Sequence, residues 1–124
     1  MEKPKIKSFT DLLAWQKGHE FALLIYALTD KFPQKEIYAS TSQMRRASVS
    51  ITSNIAEGFS RNSYKEKIQF YYMSLGSTTE LHNQLILSKD LKYINEKEFA
   101  SALDIVILIN KLLNGLIKSL KILI

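Results

Sequence analysis

The stretch from Ser40 to Gly58 constrains the fold of this chain more than any other, because both of its ends carry helix signals. Ser40 and Gln43 have the spacing of a capping box, and Gly58 offers the left-handed conformation with which many helices end. Between these signals, one face is apolar at helical spacing: Met44, Ala47, Ile51 and Ile55. The stretch is therefore predicted to be a core helix.

A polar stripe runs along the same stretch. At about 100° per residue, these side chains project close together: Arg46, Ser50, Ser53, Asn54 and Glu57. Buried charged and amide groups must be paired or hydrogen-bonded, so we interpret the stripe as a structural polar network that also includes Arg45 and Glu80. The alternative interpretation is a binding or catalytic cleft.

A specific pair follows from the topology expected around this stripe. If two helices fold back about a turn near Arg61, residues whose numbers sum to about 122 lie side by side. Arg46 then falls within about one helical turn of Glu80, and Glu57 falls opposite Lys65. The expected contact is a buried Arg46–Glu80 ion pair.

The stretch also carries a signature made of three runs, Gln43 to Ala47, Ser50-Ile51 and Asn54 to Gly58. Supporting matches lie elsewhere in the chain: Leu13 to Gln16, Phe32-Pro33, Gly76-Ser77 and Glu80. Together they resemble the four-helix proteins encoded in 23S rRNA intervening sequences, a bacterial family with similar accessory proteins of diversity-generating retroelements. The resemblance implies an antiparallel bundle in a ring of about five subunits, with nucleic acid as the suspected partner and no established enzymatic activity.

Three further helices are predicted around the central one. Thr10 or Asp11 is expected to cap the first, while Ser63 with Glu66 and Asn95 with Glu98 form capping boxes for the third and fourth. The expected bounds are near 11–31, 41–58, 63–91 and 95–121. The fold class is therefore all-α, an antiparallel up-down-up-down four-helix bundle over residues 9–124, preceded by a flexible basic tail at 1–8.

Apolar residues on helices two to four exceed what one four-helix core can cover, so we expect a homo-oligomer. The chain has no cysteine, which excludes disulfides and zinc-thiolate sites and fits a cytoplasmic location. We expect neither export nor a membrane partner, because no apolar run reaches the length of a signal core or a bilayer span.

No catalytic, metal or cofactor site is predicted, and no small-molecule substrate is expected. The sequence shows no Gly-rich phosphate loop, and Glu80 and His82 point to different sides of a helix, unlike the Glu-x-x-His pairs of di-iron bundles. Ribonuclease activity is the least favoured hypothesis, because neither His19 nor His82 follows an arginine at short spacing. We therefore expect a protein that is not an enzyme.

The net charge of +5 is unevenly distributed over the expected bundle. The chain start, the turn between helices two and three, and the end of helix four meet at one pole, called the basic pole here. Its basic residues are Lys3, Lys5, Lys7, Arg61, Lys65, Lys67, Lys118 and Lys121. These eight exceed the four acidic residues of the same pole, whereas the other pole is neutral.

This asymmetry indicates a surface that binds the phosphate backbone of RNA or DNA without sequence preference. The alternative is an oligomeric protein-protein interaction scaffold whose basic pole is only a solvated face. Salt-dependent binding to nucleic acid distinguishes the two.

Overall fold

Four α-helices make up most of residues 5–124, the part of the chain that the structure, a computed structural model, describes. They are α1 (Leu13–Thr29), α2 (Ser40–Ser60), α3 (Tyr64–Asp90) and α4 (Glu96–Lys121), with short 3-10 turns at Phe9–Asp11 and Gln34–Glu36. Residues 5–124 contain no strand. The all-α prediction is confirmed, and each helix ends within about two residues of its predicted bounds.

The contacts of α2 with α3 and with α1 are those of antiparallel helices. Between α2 and α3, Ser74 donates a hydrogen bond of 2.8 Å to the Ile51 carbonyl, while Ser88, further along α3, lies 3.5 Å from the earlier Met44 sulfur. Between α1 and α2, the late residue Asp30 pairs with the early residue Arg45. The connection from Arg61 to Ser63 is short enough to keep α2 and α3 adjacent.

The core lies along the axis of the bundle and receives one stripe from each helix. Its largest fully buried apolar side chains are Phe21, Ile25, Met44, Ile51, Ile55, Leu81, Leu85, Val106, Ile109 and Leu113. The predicted apolar face of α2 is thus confirmed, since Ala47 is buried as well. Burial of each larger side chain contributes roughly 1.5–3 kcal/mol.

By length and composition alone, α4 is apolar enough to cross a membrane. The core helix of a soluble protein meets the same criterion. In this fold, the inner face of α4 is buried against the other helices at Ala102, Val106, Ile109, Leu113 and Ile117. Its outer face remains exposed at Ile107, which leaves apolar surface that the single chain does not cover.

Two of the predicted helix starts are confirmed. Ser63 accepts a hydrogen bond from the Glu66 backbone at 3.1 Å, and Asn95 accepts one from the Glu98 backbone at 2.7 Å. The Glu98 side chain accepts in return from the Asn95 backbone, which completes the capping box of α4.

The other two helix starts differ from the prediction. Ser40 is the first residue of α2, after Ala39, and no side chain caps this end. At the chain start, Ser8 caps the first 3-10 turn, and α1 follows it without a side-chain cap of its own. Asp11 accepts hydrogen bonds from the backbones of Lys7 and Ser8, and these bonds hold its pKa below the ordinary value.

Gly58 does not end α2, contrary to the prediction. The helix continues to Ser60, and Gly58 is buried within it at a close approach to α3. A Cβ atom at this position would lie 2.8 Å from Cε1 of Tyr71 and 3.1 Å from Cβ of Phe70. The one left-handed residue in the described part of the chain is Lys92, with φ 67°, just after α3.

Gly58→Ala is therefore expected to lower the free energy of unfolding by about 1–3 kcal/mol, because the Tyr71 ring must move. The matched control is Gly76→Ala on α3, where a Cβ would meet nothing within 4 Å. That change should raise stability by about 0.5–1 kcal/mol through helix propensity. Urea unfolding followed by circular dichroism measures both, and equal effects would contradict the close-packing role of Gly58.

Candidate nucleic-acid interface

The ends of the helices bring the described members of the predicted basic pole together. Lys121 at the end of α4 donates a hydrogen bond of 2.8 Å to the Tyr72 hydroxyl near the start of α3. Leu13 at the start of α1 borders the same surface depression as Leu116 of α4. The turn from Arg61 to Ser63 joins α2 to α3 at this end.

Several lysines of the basic pole extend into solvent: Lys5, Lys7, Lys65 and Lys118 are exposed. Within residues 5–124, neither Lys65 nor Lys118 has a carboxylate within 4.0 Å. Their ammonium groups are thus available to an anionic partner. Lys3 lies outside the described residues.

The other three basic residues of the pole are held by contacts within the chain: Lys121, through the Tyr72 hydroxyl, and also Arg61 and Lys67. Arg61 forms an ion pair of 3.2 Å with Glu57 and lies 4.7 Å from the centroid of the Phe70 ring. Lys67 donates hydrogen bonds to the carbonyls of Phe59 at 2.6 Å and Gly58 at 3.4 Å. Lys67 therefore caps the end of α2 as well as adding charge to the pole.

The opposite pole has both paired and exposed charges, since within residues 5–124 its exposed Lys35 and Lys97 form no ion pair. Lys31 forms an ion pair with Glu98. The hydrogen bond that Lys31 donates is the main reason why the Glu98 pKa lies below its ordinary value, and the hydrogen bond from the Asn95 backbone is the next. Lys89 lies 4.0 Å from Asp90, and Glu36 accepts a hydrogen bond from the Tyr93 hydroxyl. The two poles thus differ in their net charge, while each carries exposed lysines.

Part of the predicted polar network is present between α2 and α3. The hydroxyl groups of Ser50 and Ser77 lie 2.9 Å apart, and the Asn54 amide donates to the Ser50 carbonyl at 2.9 Å and to its hydroxyl at 3.1 Å. All three side chains are half-buried, so this portion links the two helices. These hydrogen bonds satisfy polar groups that would otherwise be removed from water without a partner.

The predicted buried ion pair between Arg46 and Glu80 is wrong. Both residues line one shallow groove between α2 and α3, but both are exposed, and no salt bridge joins them. Glu57 pairs with Arg61 and not with Lys65, because Glu57 and Arg61 are one helical turn apart.

The register between α2 and α3 also differs from the prediction, but this difference does not separate the two residues. Residues in contact have numbers that sum to between 125, for Ile51 with Ser74, and 132, for Met44 with Ser88, and not to about 122. The sum is larger because α2 extends beyond Gly58 before the chain turns. Arg46 is thus level with Glu80 along the bundle, but both side chains are directed to solvent.

Arg45 belongs to a different network from the one predicted. Its Nε donates to the Thr29 hydroxyl at 2.9 Å, its Nη2 pairs with Asp30 at 2.9 Å, and its guanidinium lies 4.7 Å from the centroid of the Tyr26 ring. These contacts join α2 to α1, whereas Ser50 and Asn54 face α3. The polar stripe is therefore split between two helix interfaces.

The sequence analysis did not distinguish the buried from the exposed aromatic residues of the basic pole. Tyr71 is only 3% exposed and belongs to the core, while Tyr72 is 46% exposed and contacts Lys121. The usable signal is spacing, because Tyr72 follows Lys65 by seven residues and so lies on the same outward face of α3.

A groove of about 660 Å³ on the outer side of α1 and α2 was also not predicted. Four apolar or aromatic residues on its lining are well exposed: Tyr26, Ile37, Tyr38 and Val49.

Comparisons with known proteins agree with the fold. Residues 10–115 match the family described as 23S rRNA-intervening sequence protein. The chain is similar to the crystal structure of a protein of unknown function from the S23 ribosomal protein family of Bacteroides thetaiotaomicron. The two share 27% identity with a TM-score of 0.77, over 86% of this chain and 99% of that one. No curated protein matches the chain.

The two adjacent arginines of α2 should differ in their effect on stability. Arg45→Ala is expected to lower the free energy of unfolding by about 1–2 kcal/mol, because the Thr29 hydroxyl oxygen loses the hydrogen bond that it accepts and the ion pair with Asp30 is removed. The matched control, Arg46→Ala, should change it by no more than about 0.5 kcal/mol. Chemical denaturation measures both values, and a larger loss for the Arg46 variant would restore the buried-pair hypothesis.

Proposed function

The chain belongs to the family of 23S rRNA-intervening sequence proteins, and from this premise we propose that it is a non-enzymatic, homo-oligomeric protein that binds the backbone of RNA or DNA through its basic pole. The observation that carries the proposal is the excess of basic residues at that pole, where Lys65 and Lys118 are exposed and form no ion pair within residues 5–124, whereas the opposite pole has equal numbers of basic and acidic residues. Binding requires no cofactor, and the cytoplasm is the expected location.

Backbone binding without sequence preference suits the chemistry of this pole. Lysine ammonium groups are mobile point charges that neutralise phosphates, and the release of counterions from the nucleic acid drives such binding. Exposed lysines on several elements, among them Lys5, Lys65 and Lys118, form a charged end and not a narrow pocket. Binding of this kind weakens steeply as the salt concentration rises.

Uncovered apolar surface supports the homo-oligomer. Val49 is 44% exposed in the groove beside α1, and on the other side of the bundle Leu87 and Ile107 are 53% and 57% exposed. Contact between subunits would remove these faces from water. Five subunits is the number that the family resemblance implies, and a ring of parallel subunits would place all basic poles on one surface.

The alternative function is a protein-protein interaction scaffold that does not bind nucleic acid. The groove bordered by Tyr38 and Val49 favours it, because an exposed groove with apolar lining residues is able to accept another protein segment. The basic pole would then serve only for solubility.

The assembly has a direct test. Sedimentation equilibrium at micromolar concentration should give a mass several times the 14.3 kDa of one chain. Val49→Lys combined with Leu87→Lys should lower that mass, because charge enters both uncovered faces. The control is Gln69→Lys with Ser101→Lys, which adds the same charge at exposed polar positions and should leave the mass unchanged. A monomeric wild-type protein would contradict the proposal.

Binding is tested by reversing two charges that form no ion pair in the described part of the chain. Lys65→Glu with Lys118→Glu should weaken binding to an oligonucleotide of about 20 nucleotides by tenfold or more. The same change should reduce the slope of log K against log salt by about 2. Arg61 and Lys67 are left intact, because they hold the end of α2. Fluorescence anisotropy between about 50 and 200 mM salt measures both quantities.

The matched control is Lys35→Glu with Lys97→Glu, which changes the net charge equally at the opposite pole. Equal weakening by both variants would show that only the total charge matters. Absence of binding by the wild-type protein at about 50 mM salt would favour the scaffold.

A further inference from the structure

The basic pole combines its cations with aromatic rings. Within residues 5–124, three of the five cation–ring contacts lie there: Arg61 with Phe70, Lys67 with Phe59, and Lys121 with Tyr72. Two tyrosines at the pole are also open to solvent, Tyr64 at 44% and Tyr72 at 46%. A surface that binds only the phosphates of a nucleic acid does not need exposed aromatic rings.

From this arrangement we propose that the basic pole binds single-stranded nucleic acid in preference to duplex, with unpaired bases stacked on Tyr64 and Tyr72. The inference rests on the proposed function, since it names the form of nucleic acid that the same surface takes.

At Tyr72 an aromatic ring and an ammonium group lie side by side, so one nucleotide can place its base on the ring and its phosphate near the ammonium group. Lys121 donates to the Tyr72 hydroxyl at 2.8 Å, and its ammonium lies 5.4 Å from the ring centroid. Lys118 precedes Lys121 by three residues on α4, so the two lie on neighbouring positions of that helix surface. A base on the Tyr72 ring thus has two ammonium groups nearby for its phosphates.

The spacing of the two tyrosines suits more than one nucleotide. Tyr64 and Tyr72 are eight residues apart on α3, so their backbones are separated by about 12 Å along the helix axis. Stacked nucleotides of one strand cover this distance in three to four steps of about 3.4 Å. Lys65 directly follows Tyr64 and lies on the same exposed face of α3 as Tyr72, so it can contact the phosphate backbone near both rings.

A duplex cannot use these rings, because its bases are already stacked on each other. An exposed tyrosine on a rigid helix would meet only the duplex backbone, to which an aromatic face contributes little. In a single strand every base has a free face, and stacking on an aromatic side chain tolerates any sequence. The pole therefore distinguishes the two forms by their bases, while its lysines attract both.

The test compares two oligonucleotides of the same length, oligo-dT of about 20 nucleotides and a duplex of about 20 base pairs, at one salt concentration. Tyr64→Leu with Tyr72→Leu keeps the apolar bulk and removes the rings. It should weaken single-strand binding about tenfold or more. Duplex binding should change less than twofold, and the salt slope for the single strand should stay constant, because no charge is altered.

The control is Tyr64→Phe with Tyr72→Phe, which keeps the rings and removes the hydroxyl that contacts Lys121. It should bind the single strand within about twofold of wild type. Circular dichroism and sedimentation confirm that each variant is folded and assembled as the wild-type protein is.

The outcomes separate this inference from the proposed function. Equal losses for single strand and duplex, or none for either, would overturn the stacking role while leaving backbone binding in place. Wild-type affinity for the duplex equal to or above that for the single strand would overturn the preference itself. If the wild-type protein binds neither, the proposed function fails together with the inference.

Discussion

The close packing of α2 against α3 is the constraint on which the other contacts depend. Small side chains lie where the two helices meet, and one of them, Ser74, donates its hydroxyl hydrogen to the Ile51 carbonyl. Gly58 lets the Tyr71 ring approach the α2 backbone near the end of that helix. This approach fixes the register, which in turn places Ser50 beside Ser77 and brings Arg61 and Lys67 to the same end of the bundle.

Features of the fold that depend on local chemistry could be predicted from the sequence. The caps at Ser63 and Asn95 are formed within one turn, so their residue types and spacing were sufficient. Gly58 could not be assigned in this way, because a glycine permits either a left-handed stop or a close helix contact. The choice depends on Tyr71 of another helix, and the left-handed position fell instead on Lys92, a residue type with no preference for it.

The candidate site was predictable to a similar degree. The location of the basic pole follows from the topology and the positions of the charges, and these required no side-chain geometry. The partners of individual cations did require it: Lys67 caps α2 and Arg61 pairs with Glu57, whereas Lys65 remains in solvent. The buried pair proposed for Arg46 failed because Arg46 and Glu80, although level along the bundle, are both exposed to solvent.

The excess of positive charge at one end gives the bundle a permanent electric dipole moment along its axis. In the field of a polyanion such a molecule experiences a torque, so it would turn its basic pole toward the nucleic acid before contact. Salt shortens the range of this orientation to about one Debye length, roughly 8 Å at physiological ionic strength. Acidic residues such as Glu98, at the end far from the proposed interface, would thus influence the rate of association by balancing the charge of the lysines there.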